Sequence, residues 1–167
     1  MIKLIESTEE LNSFMDELIN CRISMFKEEP FNNHNITYDE CREWFINTFN
    51  NGLIFIALSD FRIIGFRTII KSVEFRDFDK FDMDMNSSYL SCLWIHKDYR
   101  GKGLGEELMT YSLDKTSEIT GSNKFYVRTR SDTPEISNLL IKVGFKVFLS
   151  YETLINNEKI TLQMWIK

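Results

Sequence analysis

Leu11, Phe14, Met15, Leu18, Ile19, Ile23 and Phe26 recur at three- and four-residue steps and trace the apolar stripe of a helix. Ser7 and Glu10, spaced as a capping box, predict its start, and Glu10, Asp16, Glu17 and Asn20 are expected to face water. Met1 to Ile5 reads as a short strand ahead of it. Pro30 breaks the helical pattern, and the turn-forming residues Phe31 to Asn35 predict a polar loop. Thr37 and Glu40 then cap a second helix with Tyr38, Cys41, Trp44, Phe45, Thr48 and Phe49 on its buried face, closed by Asn50-Asn51-Gly52.

Beyond Gly52 the pattern turns β-rich. Leu53 to Leu58 and Arg62 to Lys71 read as an antiparallel hairpin about Ser59-Asp60. Glu74 to Asp84 carries Glu74, Asp77, Asp79, Asp82 and Asp84 against Arg76 and Lys80, interleaved with Phe75, Phe78 and Phe81, and is expected to be an acidic loop or strand extension. Tyr89 to Ile95 is a strand, and a glycine-spaced turn leads from it into a helix from Gly103 to Ile119 that stops at Gly121-Ser122-Asn123. Lys124 to Arg128 is the next strand. Thr133 and Pro134 open a further helix with Ile136, Leu139, Leu140 and Val143 inward and Gly144 at its end. Phe145 to Tyr151 and Ile160 to Trp165 close the chain around an Asn156-Asn157 turn. The order β-α-α-β-β-β-α-β-α-β-β, with no repeat or linker, predicts one mixed α/β domain over residues 1–167.

Composition narrows what such a domain does. With 167 residues and 43% hydrophobic content the chain can bury a core. A net charge of −5 argues against a nucleic acid as main partner. Cys21, Cys41 and Cys92, odd in number and set among apolar residues, read as reduced, mostly buried thiols and predict a cytoplasmic protein. The N-terminus lacks a signal peptide's layout and no apolar run reaches membrane-spanning length, so neither targeting nor a membrane partner is expected.

Chemistry concentrates at Arg100-Gly101-Lys102-Gly103-Leu104-Gly105. Glycines free the backbone and remove the side chains that would hold a ligand off the main chain. Unpaired N–H groups at the start of a helix, at the positive end of its dipole, suit a diphosphate, and Arg100 and Lys102 add charge. A triphosphate-binding loop needs Lys and Ser or Thr after its last glycine, where this chain has Glu106 and Glu107. The dinucleotide fingerprint needs a glycine at 106 and a parallel sheet to open, and neither condition is met.

Arg100, Gly103 and Gly105, preceded by the strand holding Leu93 and Ile95 and followed after the next helix by Val143-Gly144-Phe145, resemble the GNAT family of N-acetyltransferases in motif and in element order. The resemblance implies an α/β (α+β) fold, a mixed and mostly antiparallel twisted sheet flanked by helices. It implies acetyl-CoA as cosubstrate, no metal, and direct acetyl transfer to a primary amine of a small molecule or peptide. The amides of Arg100, Gly101, Lys102, Gly103, Leu104 and Gly105 would bind the pyrophosphate. The backbone of Leu93, Trp94 and Ile95 would pair with the pantetheine arm in a splay beside Lys124 to Arg128, with Asn138 as a further contact.

The family places a tyrosine where this chain has Leu140, and an asparagine where it has Thr133. The usual proton donor for the leaving thiolate is therefore absent, and a CoA-binding module without turnover stands as the alternative. Ser137, one turn before Leu140, is a candidate acid, and Glu74 and Tyr89, near the ends of strands lining the presumed cleft, are candidate bases. An N–H near Trp94 or Ile95 would stabilise the oxyanion. His96 is expected to be structural, and Cys92, without a neighbouring His in sequence, to serve packing. The acidic Glu74 to Asp84 segment would attract a cationic acceptor. A homodimer is compatible with all of this.

Overall fold

The computed structural model describes residues 1–28, 35–155 and 158–167, with the side chains of Ile155 and Glu158 excepted. The expected break at Pro30, most of the following loop and the Asn156-Asn157 turn lie outside the described residues. The chain runs β1 (Ile2–Leu4), α1 (Thr8–Phe26), α2 (Tyr38–Asn51), β2 (Gly52–Ser59), β3 (Arg62–Lys71), β4 (Ser88–Ile95), α3 (Leu104–Thr120), β5 (Phe125–Arg130), α4 (Pro134–Lys142), β6 (Lys146–Ile155) and β7 (Glu158–Ile166). All seven strands form one sheet in the order β1-β2-β3-β4-β5-β7-β6, with the β4–β5 contact parallel and every other antiparallel.

Two apolar layers hold the sheet between helices. Leu18, Ile19 and Phe45 of α1 and α2 meet Phe66 and Trp94 on one face, while Leu108 and Leu140 of α3 and α4 meet Phe55, Ile69 and Trp165 on the other. Alternation along each strand assigns its side chains to these layers. The Thr37–Glu40 capping box forms with both of its reciprocal bonds. At α1 only half forms: Ser7 Oγ accepts from the Glu10 N–H at 3.1 Å, but the Glu10 carboxylate accepts from the Glu6 N–H at 2.8 Å and pairs with Lys3. Glu17 does not simply face water. Its Oε1 accepts from Arg62 Nε at 2.9 Å and from the Ile63 N–H at 3.0 Å, which ties α1 to the start of β3.

Three further expectations are corrected. The hairpin turns at Asp60-Phe61, since Ser59 pairs with Arg62, and both turn residues adopt positive φ of 49° and 64° as a two-residue connection demands. Tyr38 is exposed at the first turn of α2 and donates its hydroxyl to Asp16 instead of packing inward. The Glu74 to Asp84 segment is no open acidic loop. Short 3-10 turns at Ser72–Glu74 and Phe78–Lys80 shape it, and Phe75, Phe81 and Met83, which follow them, are buried in one cluster with Tyr89, Tyr126 and Met164. Asp77 accepts from Arg128 at 2.8 Å and from Lys80 at 2.6 Å, and Asp84 accepts from Lys124 at 2.9 Å. Burying three apolar side chains outweighs the solvation of a backbone that the sequence suggested was loop.

Candidate functional site

Between β3 and β4 the pairing is continuous from Gly65↔Ile95 to Lys71↔Ser88, except that Thr68↔Cys92 is followed by Ile69↔Leu90. Ser91 is thus a bulge, with its hydroxyl 2.7 Å from that of Thr68. A bulge bends and over-twists its strand. On the far side of β4 only Ser88↔Phe125 and Tyr89↔Tyr126 pair with β5, after which β5 follows β7 instead. The result is a wedge, closed at Tyr89 and open toward Ile95. Antiparallel strands send the main-chain groups of alternate residues to the same neighbour. The His96 N–H donates to Ile64 O at 2.8 Å, so the Trp94 amide also faces β3, and those of Leu93 and Ile95 face the wedge. Of the two oxyanion positions expected from sequence, only Ile95 has this orientation.

At the open end β4 leads through a short 3-10 turn, Lys97–Tyr99, into the glycine segment. His96 caps that turn by accepting from the Asp98 N–H at Nδ1, 3.3 Å away, a structural role as expected. Gly101 and Gly103 have φ of 70° and 87°, in the left-handed region, and a Cβ at either would meet nothing within 4 Å. Among the described residues, no hydrogen bond claims the main-chain N–H of Gly101, Lys102, Gly103, Leu104 or Gly105, and the first helical bonds are those of Glu106 and Glu107 to Gly103 O, at 3.0 and 3.1 Å. Five consecutive donors therefore stand at the N-terminus of a 17-residue helix. Arg100 is held beside them by a 2.8 Å bond from Nε to Ile95 O and an ion pair with Glu28. Lys102 reaches back to Asp98 O at 2.8 Å.

Among the described residues, no hydrogen bond or ion pair brings the candidate catalytic groups Glu74, Tyr89 and Ser137 together. Glu74 is exposed in the turn after β3. Tyr89 is 6% exposed, stacks on Phe75 with ring centroids 4.0 Å apart, and its hydroxyl is pushed up to about 12 by burial. A phenol so raised is poorly matched to a base working near neutral pH. Ser137 and Asn138 lie on α4, half-buried and exposed, and Thr133 gives its hydroxyl to Arg130 O at 2.7 Å instead of capping the helix. Leu140 is fully buried. Cys92 lies against Met25, with the sulfurs 3.5 Å apart, and burial raises its thiol, as packing requires. Among the described residues, no three His, Cys, Asp or Glu side chains gather as metal ligands, and no helix is long and apolar enough to cross a membrane.

Sequence reasoning missed two buried cations near Cys92. Arg22 of α1 lies 3.5 Å over the Trp44 ring, and Arg67 of β3 is fully enclosed. The available signal was a lone charge within the apolar run Ile63 to Ile70. A cavity of about 660 Å³ also opens between α1 and the end of β4, lined in part by Asp16, Glu17, Asn20, Glu28 and Trp94.

The model of the acetyltransferase (GNAT) family matches residues 14–145. No curated protein matches the sequence significantly. Among solved structures, the ribosomal-protein-alanine N-acetyltransferase of Brucella melitensis superposes over 100% of this chain and 98% of its own, with a TM-score of 0.79 at 16% identity. A Salmonella typhimurium protein solved with its cofactor acetyl-CoA matches over 100% of this chain and 92% of its own, TM-score 0.73 and 14% identity. A GNAT acetyltransferase of Streptococcus pneumoniae matches over 100% and 98%, TM-score 0.74 and 15% identity.

Proposed function

This chain belongs to the GNAT acetyltransferase family, and from that membership we propose that residues 1–167 form one domain moving an acetyl group from acetyl-CoA directly onto a primary amine. The observation that carries the proposal is the row of five unclaimed amides, Gly101 to Gly105, at the mouth of an open wedge. That cradle fits a pyrophosphate: its glycines leave the main chain bare, the α3 dipole favours negative charge, and Arg100 and Lys102 flank it. The wedge-facing main chain of Leu93 and Ile95 then pairs with the pantetheine arm as an added strand, with Asn138 alongside on α4. Leu93, nearer the closed end, turns its N–H toward the thioester carbonyl.

Positioning supplies much of the rate. Amine and thioester held together react as one unit, and an N–H fixed in a dry wedge stabilises the developing oxyanion without reorganising. Glu74 takes the proton of the attacking amine through water, with Tyr89 closing the wedge floor and Ser137 near the leaving group. The acceptor enters from the α1 side, through the cavity that Asp16, Asn20 and Trp94 help to line; Glu17 and Glu28 are held there by Arg62 and Arg100, so Asp16 is the lining carboxylate outside an ion pair among the described residues, and it suits a cationic amine. Asp79 and Asp82, both exposed and outside any ion pair among the described residues, add negative charge at the closed end.

Buried Leu140, which cannot donate a proton, favours one competing reading, a CoA-binding module without turnover. A panel of amines assayed for CoA release by thiol detection separates the two. Release with any amine establishes transfer, whereas tight acetyl-CoA binding with none released establishes the module.

A further inference from the structure

Arg67 lies in the middle of β3 with 1% of its surface exposed, and its Nε and Nη2 have no hydrogen-bond partner. No carboxylate among the described residues forms an ion pair with it. Those two nitrogens have lost their water without a hydrogen bond in exchange, so the folded environment of this cation is incomplete as it stands.

Its surroundings show what would complete it. Across the sheet Arg67 pairs with Phe55 of β2 and Leu93 of β4, both of which pack in the layer under α3 and α4. Gly65, two residues earlier on the same face, points at Leu108 of α3. The Arg67 side chain therefore belongs to the layer that also holds Leu140, and its cross-strand partner is the residue whose N–H faces the wedge. Cys92, beside the Ser91 bulge, is the titratable group that acts on it. Burial dominates over that thiol and lowers the guanidinium to about 9, so the charge is held at real cost.

We propose that Arg67 is the group that receives the departing sulfur, its guanidinium donating hydrogen bonds to the thioester sulfur as the carbon–sulfur bond breaks. The amine lone pair forms the carbon–nitrogen bond, the carbon–sulfur electron pair stays on sulfur, and the amine proton leaves through water. The coenzyme thiolate stays paired with the guanidinium until solvent protonates it. A charge buried beside the leaving group thus takes over the task that Leu140 cannot perform. This inference rests on the acetyl-CoA reading above.

The test is the titration of bound CoA, followed by thiolate absorbance, in the parent and in Arg67→Met. The parent is expected to lower the bound thiol by about one unit or more from its free value, and the variant to bind CoA without that shift. Arg67→Met should also lower kcat about 100-fold with the KM for acetyl-CoA changed less than about threefold. Because it removes an unpartnered charge, the variant should melt no lower than the parent. Equal CoA titrations in the two proteins, or a variant that melts well below the parent and recovers neither stability nor rate as Arg67→Lys, would overturn the proposal. Absence of CoA binding by the parent in calorimetry would instead remove the acetyl-CoA reading itself.

Discussion

The two segments that flank β4 are built on opposite terms. Residues 72–87, before it, bury three apolar side chains and commit Asp77 and Asp84 to Arg128, Lys80 and Lys124. Residues 100–105, after it, bury almost nothing and leave five amides in a row without a partner. A protein satisfies its polar groups wherever only stability is at stake. The contrast sets a structural plug at the closed end of the wedge against the proposed pyrophosphate surface at the open end.

Substitutions can break this contrast, and the largest effect belongs to the loop. Gly103→Val places a β-branched side chain at a φ of 87° and over the amides. Calorimetry should show acetyl-CoA affinity reduced about 100-fold or more, while circular dichroism reports a folded protein destabilised by about 1–2 kcal/mol. Unchanged affinity would remove the loop from the site. Next is Glu74→Gln, expected to lower kcat about 100-fold with acetyl-CoA binding intact, and an unaltered kcat would place the base elsewhere.

Asp77→Asn tests the plug. It should cost about 1–3 kcal/mol in denaturant unfolding and leave acetyl-CoA affinity alone. Lys80 foremost, then Arg128, hold this carboxyl below its ordinary 3.8 against the opposing pull of burial. A carboxyl depressed in the folded state stabilises above its unfolded value and loses that contribution as pH falls through the folded one. The difference between parent and variant should therefore be full near neutral pH and shrink in acid below 3.8, and a constant gap would exclude the ion pair as its source. The smallest effect is expected at Tyr89→Phe. Its hydroxyl, pushed up to about 12, contributes little as a base, so kcat should stay within about threefold of the parent. A collapse in kcat would move catalysis to the plug.

The same contrast explains what the sequence disclosed. The glycine loop was legible because a single local motif specifies it, and Thr37 with Glu40 or Pro134 mark helix starts by contacts a few residues apart. The wedge was reachable only through family resemblance, since its cause, the Ser91 bulge opposite Thr68, depends on register between strands. Residues 72–87 were misjudged because charge density hid the buried positions of Phe75, Phe81 and Met83, and their partners Tyr126 and Met164 come from distant strands. Arg67 was passed over because an arginine in a strand ordinarily points to solvent, and only the stacking of α3 on that face encloses it.

The claim on which the rest depends is that the amides of 101–105 grip a pyrophosphate. Titrating nitrogen-15-labelled protein with CoA, and separately with pantetheine, which lacks the pyrophosphate, reads those amides one by one. CoA should move the Gly101, Lys102, Gly103, Leu104 and Gly105 resonances downfield while pantetheine leaves them in place. Saturation by CoA with all five unmoved would contradict it.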